Sequence, residues 1–376
     1  MYQRSRLAIA VLVLAVLAAE VHTAPHYGDS LRMVILMFRH GGRSPISSYP
    51  NDPYLNYPWV SGFGALQPVG TQQTYQLGKN LRERYESLIP SDGYYTTQKI
   101  TATSSSVERA IMSAQSVLAA FLKPSGNAID ISIRWQPVPI FTIPTNDDYI
   151  LQQTRPCNKY NQELGRLMVS PPAEYQSFFA ELAQEYDYLS KNTGSTINSW
   201  MSVLGIYDTL IAEDRSGLKL PEWTSRVFPE KAEKGMGGAF RMMSGTPTMK
   251  LLKGGATFTE FLKLMKAKKS KTMSPDRSIF IYSGHDLTQV ALMDSMGMLD
   301  QTTDRPEYAS TVAFELHENS YLPGDLEVRM VYFKNWTVKV PQSLTIPGCP
   351  SPCAVSKLEE SMRAIILDNY DAACAV

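Results

Sequence analysis

The 376-residue chain has no excess of charge of either sign, since Lys plus Arg and Asp plus Glu each total 36. Without a global field there is nothing to draw in nucleic acid or an anionic membrane surface, so neither partner is expected and any anion site must be local. Cysteine is scarce as well. The four cysteines include no Cys-x-x-Cys pair and have no histidine at ligand spacing, which argues against a zinc centre, and no metal is expected. The absence of Cys-x5-Arg excludes a cysteine-based phosphatase, and the absence of Gly-x-Ser-x-Gly leaves a serine hydrolase without support. Long apolar runs are missing beyond the N-terminus. The later ones are short enough for buried strands, so no membrane span is expected.

What is present begins with a leader. Arg4 and Arg6 precede an apolar run from Leu7 to Ala19 that ends in small residues, the pattern of a secretory signal peptide over residues 1–24, with cleavage between Ala18 and Ala24. The run is short of the roughly 20 residues a membrane anchor needs. The mature chain, 44% hydrophobic over the whole sequence, can fill one large domain with a smaller lobe. In a secreted chain four cysteines read as two disulfides, for which three pairings are possible. Cys349 and Cys353, set among prolines and Gly348, are expected to close a small loop, which leaves Cys157 for Cys374. Asn335-Trp336-Thr337 is a glycosylation acceptor triplet.

Met33 to Phe38 is apolar without alternation, as expected of a strand buried on both faces of a parallel sheet, and Ile279 to Tyr282 reads the same way. Residues 67–88 and 107–122 carry apolar residues at helical spacing and end near Pro90 and Pro124. Weaker strand candidates are 99–103, 131–135, 311–316 and 326–333. From about residue 148 to 253 the texture turns helical, with segments at 174–189 and 197–213. The expected architecture is therefore α/β: a central, mostly parallel sheet flanked by helices over 25–147 and 254–376, with an inserted helical lobe over 148–253. Gly235-Met236-Gly237-Gly238, inside that lobe, follows no strand and precedes no Gly-Lys-Ser/Thr, and is expected to be a flexible turn rather than a nucleotide loop.

Directly after the first buried strand comes Phe38-Arg39-His40-Gly41-Gly42-Arg43-Ser44-Pro45. Guanidinium groups suit phosphate because their planar forks donate paired hydrogen bonds and stay charged at all relevant pH. The ends of strands in such sheets are where ligands bind. Taken alone, this could be an ordinary surface loop. The second buried strand, however, also runs into a polar cluster, Tyr282-Ser283-Gly284-His285-Asp286, followed by a helical stretch whose first amides could face an anion. Asp286 could equally be no more than the cap of that helix. Two strands far apart in sequence that each deliver a histidine make coincidence a poor account.

At this point the sequence resembles the histidine acid phosphatases, close to their prostatic and lysosomal branch. Arg39 to Pro45 matches the opening Arg-His-Gly-x-Arg-x-Pro motif, and His285-Asp286 the distal His-Asp pair. Arg109, in Ser104-Ser105-Ser106-Val107-Glu108-Arg109, matches a phosphate-binding arginine after the second strand. The similarity continues through Trp135 to Pro139 and the Pro-Gly-Cys turn. It implies a histidine phosphatase fold and hydrolysis of small or peptide phosphomonoesters through a phosphohistidine on His40. Arg39, Arg43, Arg109 and His285 would surround the phosphate, Asp286 would protonate the leaving oxygen, and no cofactor would be needed. A homodimer is implied by the resemblance alone.

The chain departs from the pattern where mammalian members of the branch carry aspartate and it has Gly42, and where they carry alanine and it has Gly284. It also lacks one disulfide of the mammalian secreted form and the C-terminal membrane helix of the lysosomal branch. The helical lobe, where the family builds much of its substrate pocket, is the least similar region, so the substrate stays open. The rival class is a binding protein on the same scaffold that has lost turnover. All six motif residues are present here, which favours an enzyme secreted or held in a lysosome-like vesicle.

Overall fold

A computed structural model describes residues 30–126, 129 and 132–375, so the leader lies outside the described residues. Seven strands form one sheet: β1 (Leu31–Arg39), β2 (Ile100–Ser105), β3 (Phe141–Ile143), β4 (Ile279–Gly284), β5 (Thr311–Glu318), β6 (Leu326–Phe333) and β7 (Gln342–Leu344), in the order β3-β2-β4-β1-β5-β6-β7. The half built from β3, β2, β4 and β1 is parallel, and β5, β6 and β7 continue it antiparallel. The sheet is thus mixed.

The unbroken apolar run in β1 has a direct explanation. Met33, Ile35 and Met37 pack into the core on one face, while Val34, Leu36 and Phe38 pack into the core on the other. A strand covered on both sides buries every residue, and each such side chain contributes on the order of 1.5–3 kcal/mol. On the second face lie α1 (Pro68–Tyr85) and α2 (Glu108–Phe121), which supply Leu77, Leu81, Val117 and Phe121.

Between β3 and β4 the described chain is helical: α3 (Asn158–Val169), α4 (Ala173–Ala183), α5 (Tyr186–Thr193), α6 (Trp200–Arg215), α7 (Glu230–Met242) and α8 (Pro247–Lys250). A π-turn at Leu251–Gly255 then leads into α9 (Ala256–Lys269). After β4 come α10 (Asp286–Ser295) and, near the C-terminus, α11 (Val355–Ser361) and α12 (Tyr370–Cys374). Disulfides join Cys157 to Cys374, tying α12 to the start of α3, and Cys349 to Cys353. Among the described residues no helix is long and apolar enough to cross a membrane.

Three expectations fail. The strand sought at 131–135 is found instead at Phe141–Ile143. Residues 132–135 are exposed, and the chain beyond them is held from within by Gln136, whose Nε2 donates to the carbonyls of Gly93 (2.7 Å) and Leu122 (2.8 Å). The glycine cluster at 235–238 is not a turn but part of α7. An added Cβ would lie 3.0 Å from the Tyr207 ring at Gly235, 2.6 Å from Asp304 at Gly237 and 2.7 Å from the Phe178 ring at Gly238. The helix tolerates glycine there because its neighbours approach too closely for anything larger. The segment expected as one helix over 174–189 is two, broken between Ala183 and Tyr186.

Candidate active site

The site forms because three parallel strands end level with one another. Arg39 of β1 is in register with Gly284 of β4, and Ser283 of β4 with both Phe38 and Ser104. The His40 amide donates to the Gly284 carbonyl (3.1 Å). His40, His285 and Ser105 therefore meet at one edge, the carboxyl ends of the parallel strands. The His40 and His285 rings lie 5.5 Å apart, and Ser105 Oγ is 2.9 Å from His285 Nε2.

His40 is 2% exposed and its two nitrogens have distinct surroundings. Nδ1 lies 2.8 Å from the Gly41 carbonyl, which can only accept, so Nδ1 carries the proton. Nε2 keeps its lone pair and accepts from Arg109 Nε at 3.0 Å. Burial, then Arg109, Arg39, His285 and Arg43, hold the His40 pKa well below its ordinary value. His285 is lowered to about 4, by burial first and Arg109 next, against the pull of Asp286. Both imidazoles are consequently neutral in mildly acidic solution.

The loop that presents His40 fits tightly over α1. A Cβ on Gly41 would fall 2.2 Å from the Gly70 carbonyl oxygen, and one on Gly70 would fall 2.1 Å from that of Gly42. The Gly41 amide donates to Ser113 Oγ (3.1 Å) and the Gly42 amide to Gln73 Oε1 (2.8 Å). Gly42 and Gly284 are less confined: a Cβ at Gly42 would meet only the Gln73 and Val69 side chains, and one at Gly284 only those of Thr288 and Leu151.

Arg39 is fully enclosed. Its Nη2 pairs with Asp286 Oδ2 at 2.7 Å, its Nη1 donates to the Pro306 carbonyl at 2.5 Å, and its guanidinium carbon stands 4.2 Å from the centre of the Tyr308 ring. Arg43 Nη2 pairs with Asp208 Oδ1 at 2.7 Å. The Nε atoms of Arg39, Arg43 and Arg305 are buried with no hydrogen-bond partner among the described residues. Arg109 is lowered to about 10 by burial and Arg43, so it stays charged in acid. Asp286 opens α10 and accepts from the Leu287 amide at 2.9 Å. Burial would raise its pKa, but Arg39, Arg305, Arg43 and the Leu287 amide outweigh it and bring the carboxyl down to about 2.

All six motif residues thus come together, including Arg109 from the start of α2. The structure adds Asp208 from α6, and Arg305 and Tyr308 from the approach to β5. No local motif marks these three. Ser105, beside His285, lies in the serine run already noted.

A mixed α/β sheet with two strand-end histidines set among buried arginines defines a class of phosphate-handling enzymes. The chain belongs to the histidine phosphatase superfamily (branch 2), matched over residues 30–332. It is 32% identical to the lysosomal acid phosphatase of Homo sapiens over 98% of this chain and 86% of that one. It is 31% identical to the venom acid phosphatase Acph-1 of Apis mellifera over 96% of this chain and 91% of that one. In fold it matches a Hafnia alvei phytase solved with tartrate, with a TM-score of 0.66 and 17% identity over 92% of this chain and 98% of that one.

Proposed function

We propose that the protein is a secreted acid phosphatase that hydrolyses phosphate monoesters through a phosphohistidine on His40, with Asp286 serving the leaving oxygen. The observation that carries this reading is the fixed tautomer of His40, whose Nε2 lone pair lies among Arg39, Arg43 and Arg109. In the first step Nε2 attacks phosphorus, the N–P bond forms and the P–O bond to the alcohol breaks. The departing oxygen takes a proton by way of Asp286. In the second step water attacks the phosphohistidine, the Asp286 carboxylate accepts its proton, and inorganic phosphate leaves. The guanidinium groups offset the charge on the moving phosphoryl group.

The acid preference follows from two protonations. Free Asp286 is a carboxylate above about 2, and a phosphate monoester takes up its second proton near pH 6. The reactive complex needs one proton shared between them, so kcat/KM is expected to be highest between those limits. Because burial and the surrounding arginines hold the His40 pKa well below its ordinary value, mild acid does not extinguish the nucleophile. Residues 148–253 act as the substrate-side lobe in this reading, since α6 delivers Asp208 to Arg43. The leader and two disulfides support secretion, and Asn335 is the proposed glycan acceptor.

The test is Asp286→Asn across phosphate esters of graded leaving-group pKa. Alkyl phosphates should slow by roughly a hundredfold or more and p-nitrophenyl phosphate much less. With the good leaving group, alkaline quenching should trap label on His40, and His40→Ala should trap none. Parallel leaving-group plots for the two proteins would refute the proton-transfer role.

A further inference from the structure

The catalytic loop runs directly into a stretch almost without charge. From Ser44 to Gly78 the one charged residue is Asp52, in a chain that is 19% charged. Asp52 is itself buried, its carboxylate accepting from Ser48 Oγ and, at 2.7 Å, from the Tyr54 amide. Large apolar side chains of this stretch are nevertheless exposed: Ile46, Leu55, Tyr57, Val60, Phe63 and Val69. Scattered apolar groups on a surface need no explanation, but several gathered on one segment with no charge among them mark a contact surface.

The stretch leaves the phosphate pocket and returns to it. Its start and end are joined where the Pro45 carbonyl accepts from the Gly64 amide (2.7 Å), and Ser44 holds the returning chain, its Oγ donating to the Gly62 carbonyl (2.7 Å) and its amide to that of Ala65 (3.0 Å). Gly62 and Gly64 have left-handed backbones, with φ of 84° and 70° and open space beside both, and carry Phe63 between them at this turn. The Gly64 carbonyl lies 3.4 Å from Arg109 Nη1, while Arg109 Nε lies 3.0 Å from His40 Nε2. One guanidinium therefore separates the turn from the nucleophile. On the other flank Val69 Cγ1 stands 3.5 Å from where a Cβ on Gly42 would lie, two residues past His40. Met112, three residues beyond Arg109 and so on the same face of α2, is exposed as well. Phe63, Val69 and Met112 thus rim the pocket mouth with apolar surface.

We propose that this uncharged rim receives the alcohol side of the substrate, so that the enzyme takes phosphate monoesters of long-chain alcohols. Such amphiphiles would set their phosphate among the arginines and lay their tail over Phe63, Val69 and Met112. The inference rests on the phosphohistidine reading for where the phosphate lies. A tail in that place desolvates no charge, and each methylene it withdraws from water favours binding. A highly phosphorylated substrate would instead turn its further phosphates towards a stretch that carries no cation to receive them.

The n-alkyl phosphates from butyl to octyl, each kept monomeric in solution, test this, because the basicity of the leaving alkoxide stays nearly constant while the tail grows. Complete burial of a methylene raises affinity roughly fourfold, and a rim open to water on one side supplies about half that free energy, so wild-type kcat/KM should rise about twofold per added carbon. Over four carbons the gain is about sixteenfold, and it should appear in KM rather than kcat. Phe63→Ser and Val69→Ser should each lower the slope, and the double variant should bring the octyl-to-butyl ratio below about fourfold. Tyr321→Ser removes an exposed apolar side chain from the turn between β5 and β6, at the opposite edge of the sheet, and should keep the wild-type slope. A wild-type rate flat with chain length, or a slope that the double variant leaves intact, would overturn the proposal. So would a rim covered by a second copy of the chain, seen in sedimentation as a dimer that Phe63→Ser dissociates, with no dependence on chain length. The slope compares esters that share one chemistry and is read without trapping label, so absence of label on His40 would refute the phosphohistidine reading while the slope is judged by itself.

Discussion

Gly41→Ala is the most direct challenge to the claim that backbone contact places His40. Neither dihedral strain nor lost hydrogen bonding is at issue, because alanine keeps the amide that donates to Ser113. The added Cβ would sit 2.2 Å from the Gly70 oxygen, 2.7 Å from its carbonyl carbon and 2.8 Å from its Cα, all of them backbone atoms in the first turn of α1. Restoring ordinary contact requires the loop and the helix to separate by roughly 1 Å. Overpacking of this kind costs about 1–3 kcal/mol in stability. A shift of about 1 Å in a reacting group costs on the order of a hundredfold in rate. The loop end carries His40 on one side and the Arg43 pairing on the other, so kcat/KM should fall far more than thermal stability alone explains. Gly42→Ala is the matched control, because its Cβ would meet the flexible Gln73 side chain at 3.2 Å and Val69 at 3.5 Å. It should retain activity within a few-fold. Steady-state kinetics and thermal unfolding of the two variants suffice. A Gly41→Ala enzyme with near wild-type kcat/KM would show that the close approach to α1 does not set the nucleophile.

Two further outcomes follow from the same geometry. Loss of the Cys157–Cys374 bridge, which spans 217 residues, should cost about 5 kcal/mol on chain-entropy grounds, against about 2 for Cys349–Cys353, which spans 4; denaturant unfolding of the single serine variants ranks them, and the reverse order would contradict the loop-length account. His285, lowered from 6.5 to about 4, resists protonation in the folded state while the unfolded chain takes up the proton. Its contribution is intact above about 6.5 and is lost as pH falls towards 4, by up to about 3 kcal/mol. His285→Asn should therefore lose less stability over that window than wild type, and identical pH dependence in urea titrations would refute the depressed value.

The legible parts of the protein are those written in contiguous residues. The two-sided burial of β1 appears as an unbroken apolar run, and the paired histidines appear because each immediately follows such a run. Helices α1 and α2 were visible through apolar spacing and terminal prolines. The disulfides followed from four cysteines and one short turn. Motif resemblance supplied Arg109, whose place beside His40 Nε2 depends on β2 and β4 ending in register.

Other features depend on partners that no local pattern names. The glycines at 235–238 look like a turn until Tyr207, Asp304 and Phe178 are seen to press against them. Residues 131–135 look like a strand, but nothing in the sequence says that residues 132–135 stay at the surface while Gln136 is drawn inward. Asp208 and Tyr308 carry no motif, yet they partner Arg43 and Arg39 from far along the chain, and Arg305, equally unmarked, is buried against Glu233. The sequence alone determined which residues could do phosphate chemistry, because imidazole and guanidinium are intrinsic to side chains. Only the tertiary structure decided their protonation, because burial and the distances between charges arise when separate segments pack together.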